Sequence, residues 1–357
     1  MPDPTYDWLQ RVWYGGARSG VVLMPLSWLF RLAVSLRRAL YGMAVLPSYA
    51  VGKPVVVVGN ISVGGTGKTP LTIALAARLA ARGLRVGVAS RGYAGAGGPP
   101  RIVRADSDAR DVGDEPLLIA QSGHAVVAVS ADRVAAARLL VEQGCDVILA
   151  DDGLQHLRLR RDVEIAVVDG ERSLGNGRLL PAGPLREHAR RLRTVDAIVV
   201  NGGPPPTAIA GHEPMAAGGG SVVRMSLEAT ETLPLVPGGV ARPLENFAGQ
   251  RVHALAAIGN PQRFFALLRR HGIEPVEHPL PDHAPLDATA LRFDDDLPVL
   301  MTEKDAVKCR RASAIADRRH WVVRVAPVFE SGGLERLERL VLDRIAGAGA
   351  ADPAQVR

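Results

Sequence analysis

The sequence predicts an α/β fold: a mostly parallel sheet flanked by helices, followed by a smaller α/β domain. Three observations carry that expectation. Short β-branched runs alternate with helical patterns from residue 54 onward. A glycine-rich loop stands between the first of these strands and the first helix. A stretch rich in Gly, Pro and Ala over 202–220, with Pro204-Pro205-Pro206 inside it, breaks the alternation into two series.

In chain order, residues 1–50 form an N-terminal helical region. Val21 to Val34 is almost wholly apolar yet contains Arg31, and Arg37 and Arg38 follow. Fourteen residues fall short of the roughly 20 that span a bilayer as a helix. Pro25 suits a first turn, and at helical spacing Ser27, Arg31, Ser35 and Arg38 make one narrow polar stripe. Such a helix suits the headgroup region of an anionic membrane, with the stripe facing the headgroups. A helix buried against its own domain carries the same pattern.

A core domain is expected over 51–219. Its strands are read at Pro54–Asn60, Arg85–Ser90, His124–Ser130, Asp146–Ala150, Val163–Val168 and Ala197–Val200, with helices over Pro70–Arg82 and Ala131–Gln143. A second domain over 220–345 is read as strands at Arg251–Ile258, Leu297–Met301 and Trp321–Val325. Its helices are read at Pro261–His271 and Leu334–Ile345, and residues 346–357 are expected to fray.

The 357 residues include 47% hydrophobic and 22% charged side chains, an ordinary globular balance. A net charge of +6 favours an anionic partner. With aromatics at only 4% and no basic-aromatic platform, nucleic acid is not the expected one. Cys145 and Cys309 stand alone without metal-ligand spacing, as in a reducing compartment.

The glycine loop is Ser62-Val63-Gly64-Gly65-Thr66-Gly67-Lys68-Thr69, with Ser62 where the usual phosphate-loop pattern has Gly. Unpaired N–H groups and the helix dipole make such a loop an anion cradle. Lys68, expected to face solvent without nucleotide, would reach the β- and γ-phosphates, and the Thr69 hydroxyl would ligate Mg²⁺. Asp151 and Asp152 follow a buried strand, where ligands bind open parallel sheets and where a metal-binding carboxylate is expected. Asp114, before Pro116, reads equally as a helix N-cap. The segment Gly175 to Glu187 mixes charges and turn residues as a binding loop does, and Arg186 could clamp a phosphate. Arg158, Arg160 and Arg161 read as a solvated face, Asp282-His283 as a loop, and Thr302 as a helix cap with a carboxylate three residues on.

Taken in order, these motifs, with Ser90-Arg91-Gly92-Tyr93, Gly113-Asp114-Glu115-Pro116 and Thr302-Glu303-Lys304-Asp305, resemble the tetraacyldisaccharide 4'-kinase family. The resemblance implies transfer of phosphate from ATP, with Mg²⁺, to the 4'-hydroxyl of a tetraacylated glucosamine disaccharide 1-phosphate. It also implies work at the cytoplasmic face of the bacterial inner membrane, and a smaller domain closing over the nucleotide. Matched position by position, it makes Asp114 the catalytic carboxylate, His283 its partner and Lys68 the phosphate-binding lysine. Thr69, Asp151, Asp152 and Glu187 fall in the metal set; Arg186, Asn176 and His156 fall on the substrate. Ala284 stands where the family usually has a second His, and Ala94 where it usually has Gly. A membrane-recycled ATPase switch of the same fold would carry a signature Lys at the position of Val63.

Overall fold

The structure is a computed structural model that describes residues 4–15, 18–92, 98–207, 221–236, 238–282, 284, 286, 290–309 and 318–349. Helix α1 (Pro4–Tyr14) and a 3-10 turn lead into helix α2 (Met24–Gly42). The nucleotide-loop unit follows as β1 (Val55–Gly59) and α3 (Lys68–Ala81), then β2 (Val86–Ser90), β3 (Arg101–Val103), α4 (Ala109–Val112) and α5 (Asp114–Gln121). Next come β4 (Val126–Val129), α6 (Arg133–Glu142), β5 (Val147–Asp151), β6 (Val163–Asp169) and β7 (Ala197–Asn201). The remainder is β8 (Ser221–Pro234), β9 (Arg251–Ala256), α7 (Pro261–Arg270), β10 (Glu274–Pro279), β11 (Val299–Thr302), α8 (Glu303–Cys309), β12 (His320–Phe329) and α9 (Gly333–Gly349).

Among the described residues all strands join one 12-stranded sheet in the order β10-β9-β11-β12-β8-β7-β6-β1-β5-β2-β4-β3. The expected α/β class and its mostly parallel pairing are what the chain forms; β3 on β4 and β8 on β12 are antiparallel. Alternation along β1 explains the layers. Val56 and Val58 face a core with Leu71, Leu75 and Leu79 of α3, whereas Val55 and Val57 face one with Leu140 of α6 and Leu185.

The 202–220 stretch lies between β7 and β8, which are paired neighbours. Residues Ser221 to Met225 of β8 run parallel to β7, and Met225 to Pro234 run antiparallel to β12. Beyond β8 lie two further cores, one around Phe265 and Trp321 and one around Met301 and Leu291. Helix α9 returns to the first half: Leu337 and Val341 are buried with α3, and Glu338 pairs with Arg78 and Arg82. Strands β3, β8 and β10 were not expected from the sequence.

Helix α2 reverses the expected orientation of its polar stripe. Ser27 is buried and donates to the Leu179 carbonyl at 2.8 Å, and Arg38 pairs with Glu187. Ser27 and Arg38 of the stripe therefore dock the helix on its own protein, while Arg31 and Ser35 stay exposed and much of the apolar side faces outward. Leu26, Trp28, Leu29, Leu32 and Leu36 are all more than half exposed. With the preceding turn, Ser19–Gly42 makes a helical run of 24 residues whose most apolar 18-residue window has a mean hydropathy of 1.6, long and apolar enough to cross a membrane by length and composition. The expectation of a stretch too short to span counted only its apolar half.

Candidate functional site

The parallel strands deliver their carboxyl ends to one edge, where this kind of sheet binds ligands. Gly59, Ser90, Asp151, Asp169 and Asn201 all end strands there. The loop from β1 to α3 is held from several sides. Val63 N–H donates to the Pro184 carbonyl, and Arg186 N–H to that of Ile61. Asn201 Nδ2 donates to the Thr66 carbonyl at 3.0 Å. Gly67, at φ 92°, is the residue that caps α3, and a Cβ on it would lie 2.3 Å from Asn201 Nδ2. The turn after β9 closes on the same loop, since a Cβ on Gly259 would lie 2.2 Å from the Gly65 nitrogen. Arg172 holds that turn by donating to the Gly259 carbonyl, while Arg263 of α7 pairs with Asp169 at 2.7 Å.

Two cavities open along this edge. One, of about 770 Å³, contains Gly64 to Pro70 and is walled by Ile258, Asn260, Thr302, Lys304 and Val325. Its phosphate-loop floor makes it the nucleotide cleft. The other, of about 890 Å³, lies under α2 and is lined by Phe30, Val34, Arg37, Arg38, Arg91, Asp114, Asp151, His156, Leu180 and Glu187. Glu115, Asp152 and Arg186 line both cavities, so the two meet at these side chains.

At the junction, Lys68 Nζ lies 3.6 Å from Asp152, and Arg186 Nη1 lies 3.0 Å from both of its carboxylate oxygens. Burial would raise the Asp152 carboxyl, but Lys68 and Arg186 hold it well below the usual range. Lys68 is buried rather than solvent-facing, and is held against Asp152. Asp152 also occupies a left-handed backbone conformation, φ 50°, which Asp tolerates better than most residues. Asp151 is fully enclosed and accepts from Thr72 Oγ1, and its Oδ2 has no hydrogen-bond partner among the described residues. Burial, then Glu115, push its carboxyl upward. Burial, then Arg133 and Arg91, lower the His156 imidazole to about 4, so it is neutral at pH 7.

Asp114 is the first residue of α5, whose cap is Gly113 at φ 94°. Its side chain does not cap; it is buried and lies 3.6 Å from Lys308 of α8, which also pairs with Asp305 at 3.0 Å. Thr302 and Asp305 exchange hydrogen bonds as the expected helix cap. Lys304, one residue before Asp305, bridges Glu115 and Asp282 at 3.0 and 3.2 Å, and these carboxylates raise its ammonium pKa against the effect of burial. His283 and Ala94 lie outside the described residues.

Other expected residues are placed differently. Glu187 is buried among Arg38, Arg191 and the Gln155 amide. Asn176 lines neither cavity: its amide donates to the Val12 and Ala182 carbonyls, tying α1 to the 175–187 loop. Arg161, expected on a solvated face, is mostly buried and pairs with Glu164. Lys308, Lys304, Gln155 and Asn201 gave no sign of a role in the sequence. Only the Thr302 to Asp305 motif marked the neighbourhood of the two lysines.

A strand, phosphate loop and helix at the carboxyl edge of a parallel sheet, meeting a second cavity at shared charged side chains, define a P-loop phosphotransferase. The family model for tetraacyldisaccharide-1-P 4'-kinase matches residues 19–345. The chain belongs to that family. The tetraacyldisaccharide 4'-kinase of Xanthomonas oryzae pv. oryzae (strain PXO99A) is 53% identical over 291 residues, 81% of this chain and 82% of its own. That of Pseudomonas aeruginosa (strain LESB58) is 47% identical over 341 residues, 93% and 98% of the two chains. The crystal structure of LpxK from Aquifex aeolicus in complex with ATP superposes with a TM-score of 0.73 at 28% identity, covering 91% of this chain and 99% of that one.

Proposed function

We propose that the protein transfers the γ-phosphoryl group of ATP to the 4'-hydroxyl of a tetraacylated glucosamine disaccharide 1-phosphate. The observation that carries this reading is the junction. A phosphate-loop cleft and a separate, partly apolar cavity share Glu115, Asp152 and Arg186, as donor and acceptor sites must.

In this reading Ser62 to Thr69 cradle the phosphates. Lys68 leaves Asp152 for the β- and γ-phosphate oxygens, and Arg186 stays to orient Asp152. Asp114 takes the proton of the acceptor hydroxyl as the new P–O bond forms and the bond to the ADP oxygen breaks. Lys308 fixes the orientation of Asp114 from behind. The resemblance in the sequence implies His283 as its further partner. Oxygen donors suit Mg²⁺, which keeps one or two carboxylates and binds phosphates for the rest. The unpartnered Oδ2 of Asp151 and the Thr69 hydroxyl would hold it, and it supplies charge neutralisation on the phosphate oxygens. Glu187 then serves through Arg38, anchoring α2 over the acceptor cavity, and neutral His156 is a hydrogen-bonding wall of that cavity.

The outward apolar face of α2 supports docking on an anionic membrane surface, at the cytoplasmic face of the inner membrane where ATP is available. Segment 220–345 then acts as the part that covers the nucleotide, through the turn at Gly259. Incubation with γ-labelled ATP and the purified tetraacyl disaccharide 1-phosphate tests the reading. Label is expected on the lipid; label released only as inorganic phosphate would establish an ATPase switch instead.

A further inference from the structure

Arg172 lines neither cavity, yet three parts of the molecule meet at its half-buried side chain: the phosphate loop, the turn after β9 and the end of α1. Its Nη1 donates to the Gly259 carbonyl at 2.8 Å. The same nitrogen would lie 3.7 Å from a Cβ placed on Gly64 of the phosphate loop. Its guanidinium carbon stands over the ring of Tyr14, the last residue of α1, at 5.1 Å from the ring centre.

Both sides of this contact are held without the nucleotide cleft. The N–H groups of Glu171 and Arg172 donate to Asp169 Oδ1, each at 3.0 Å, so the turn after β6 keeps its shape without the Arg172 side chain. Tyr14 follows the buried Val12 and Trp13. Trp13 Nε1 donates to the Pro181 carbonyl and Asn176 N–H to the Trp13 carbonyl, both at 2.9 Å. These anchors present the ring to Arg172. A guanidinium drawn to an aromatic face loses its freedom to swing and keeps its N–H edge for an acceptor.

The acceptor decides the effect. Gly259 packs so closely on the phosphate loop that a Cβ on it would lie 2.2 Å from the Gly65 nitrogen and 3.0 Å from the Gly64 carbonyl carbon. Holding Gly259 in place therefore fixes the backbone of Gly64 and Gly65, whose N–H groups belong to the phosphate cradle. A cradle ordered beforehand has less freedom to lose when the nucleotide arrives. Arg263 gives a second hold on the same side, through Asp169 and the Asn201 carbonyl. Losing the Arg172 side chain would loosen the turn without releasing it.

We propose that Tyr14 and Arg172 are positioning residues for ATP: Tyr14 orients Arg172, and Arg172 holds the Gly259 turn against Gly64 and Gly65. The proposal rests on the nucleotide cleft assigned above. It gives the N-terminal helices a bearing on both sides of the reaction, α2 over the acceptor cavity and α1 on the donor.

The test measures MgATP binding to the full chain by isothermal titration, with kcat and the KM for ATP on detergent-dispersed acceptor. Arg172→Gln should raise the ATP dissociation constant and KM about 10-fold, the lower end for a charge-assisted hydrogen bond because Arg263 remains. Its kcat should stay within about 2-fold, as when uniform binding is removed. Tyr14→Leu should raise both constants about 2- to 5-fold, the range of a cation–π contact near the surface. Tyr14→Phe keeps the ring and should bind ATP as the wild type does. Because Tyr14 acts through Arg172, the pair Tyr14→Leu, Arg172→Gln should bind no worse than Arg172→Gln alone. Wild-type ATP affinity in Arg172→Gln overturns the proposal. So does a fall in kcat with affinity unchanged, which would assign Arg172 to the chemical step. Additive losses in the pair, or an equal loss in Tyr14→Phe, overturn the link through the ring. If Tyr14→Leu melts early, Tyr14→Gln completes the cycle, and Arg172→Gln decides the proposal by itself in either case. A wild type that binds ATP no better than the variants removes the positioning role and leaves the function; a wild type that binds no ATP removes the nucleotide cleft as well.

Discussion

The Lys68 ammonium lies 3.6 Å from the Asp152 carboxylate, where the phosphate-loop cleft meets the cavity under α2. Asp152 has Arg186 as its second cation. The Lys68→Ala substitution should lower kcat by about 10²- to 10³-fold, as loss of a transition-state charge clamp does. Arg186 remains on Asp152, so unfolding should cost only about 1 kcal/mol less. Turnover near wild type in steady-state assays would remove residues 62–69 from phosphate binding.

Asp114→Asn keeps the shape of a buried side chain and deletes its basicity. Because Lys304 of α8 still pairs with Glu115 of α5 at 3.0 Å, the α5–α8 contact should survive. We expect kcat to drop about 10²- to 10⁴-fold with little change in the KM for ATP. Steady-state kinetics paired with thermal melts check this, and a lowered melting temperature with kcat retained would make Asp114 a structural residue.

Replacing Trp28, Leu29 and Leu32 with Ser tests the outward face of α2. Each large side chain is worth about 1.5–3 kcal/mol at most when it leaves water. The triple variant should sediment less with anionic liposomes and lose activity on vesicle-borne acceptor, and should suffer less on detergent-dispersed acceptor. Since all three are more than half exposed, the fold should hold. A variant that binds liposomes like wild type would remove this face from membrane docking.

Glu338 predicts a pH signature for the C-terminal helix. Hydrogen bonds from Arg82 and Arg78 hold its carboxyl below the ordinary value. A depressed carboxyl stabilises the fold above the unfolded pKa of about 4.3 and loses that contribution as pH falls through the folded value. Glu338→Gln should therefore cost about 1 kcal/mol at pH 7, a small figure because both guanidinium groups reach solvent. The difference from wild type should shrink from neutral to strongly acidic pH. Equal offsets at both pH values in denaturant melts would show a packing effect instead.

The parts legible in the sequence were those with local signals. The loop from Ser62 to Thr69 and the buried strands around it carry their own turn residues and β-branched runs. Strand β10 was hidden because Pro275 and Pro279 argue against a strand, and an edge position is where proline is tolerated. Strand β8 mixes buried and exposed residues, since it serves two differently oriented neighbours. The pairs that shape the site are remote in sequence: Arg38 and Glu187 are 149 residues apart, and Lys304 and Glu115 are 189 apart. No spacing rule reaches that far. The stripe on α2 was visible as a pattern, but amphipathicity alone does not say which side meets the protein when Ser27 and Arg38 find partners there.

Strand β8 has a mechanical consequence. It is hydrogen-bonded along its first residues to β7 and along its last to β12, with a register shift opposite Arg324 and Val325. The halves on either side of the nucleotide are thus welded along a ribbon instead of strung on a linker. Were the cleft to open at Gly259, that ribbon would have to twist. Stiffening it, with β-branched residues at exposed positions such as Glu228, would slow the exchange of ADP for ATP without touching a phosphate.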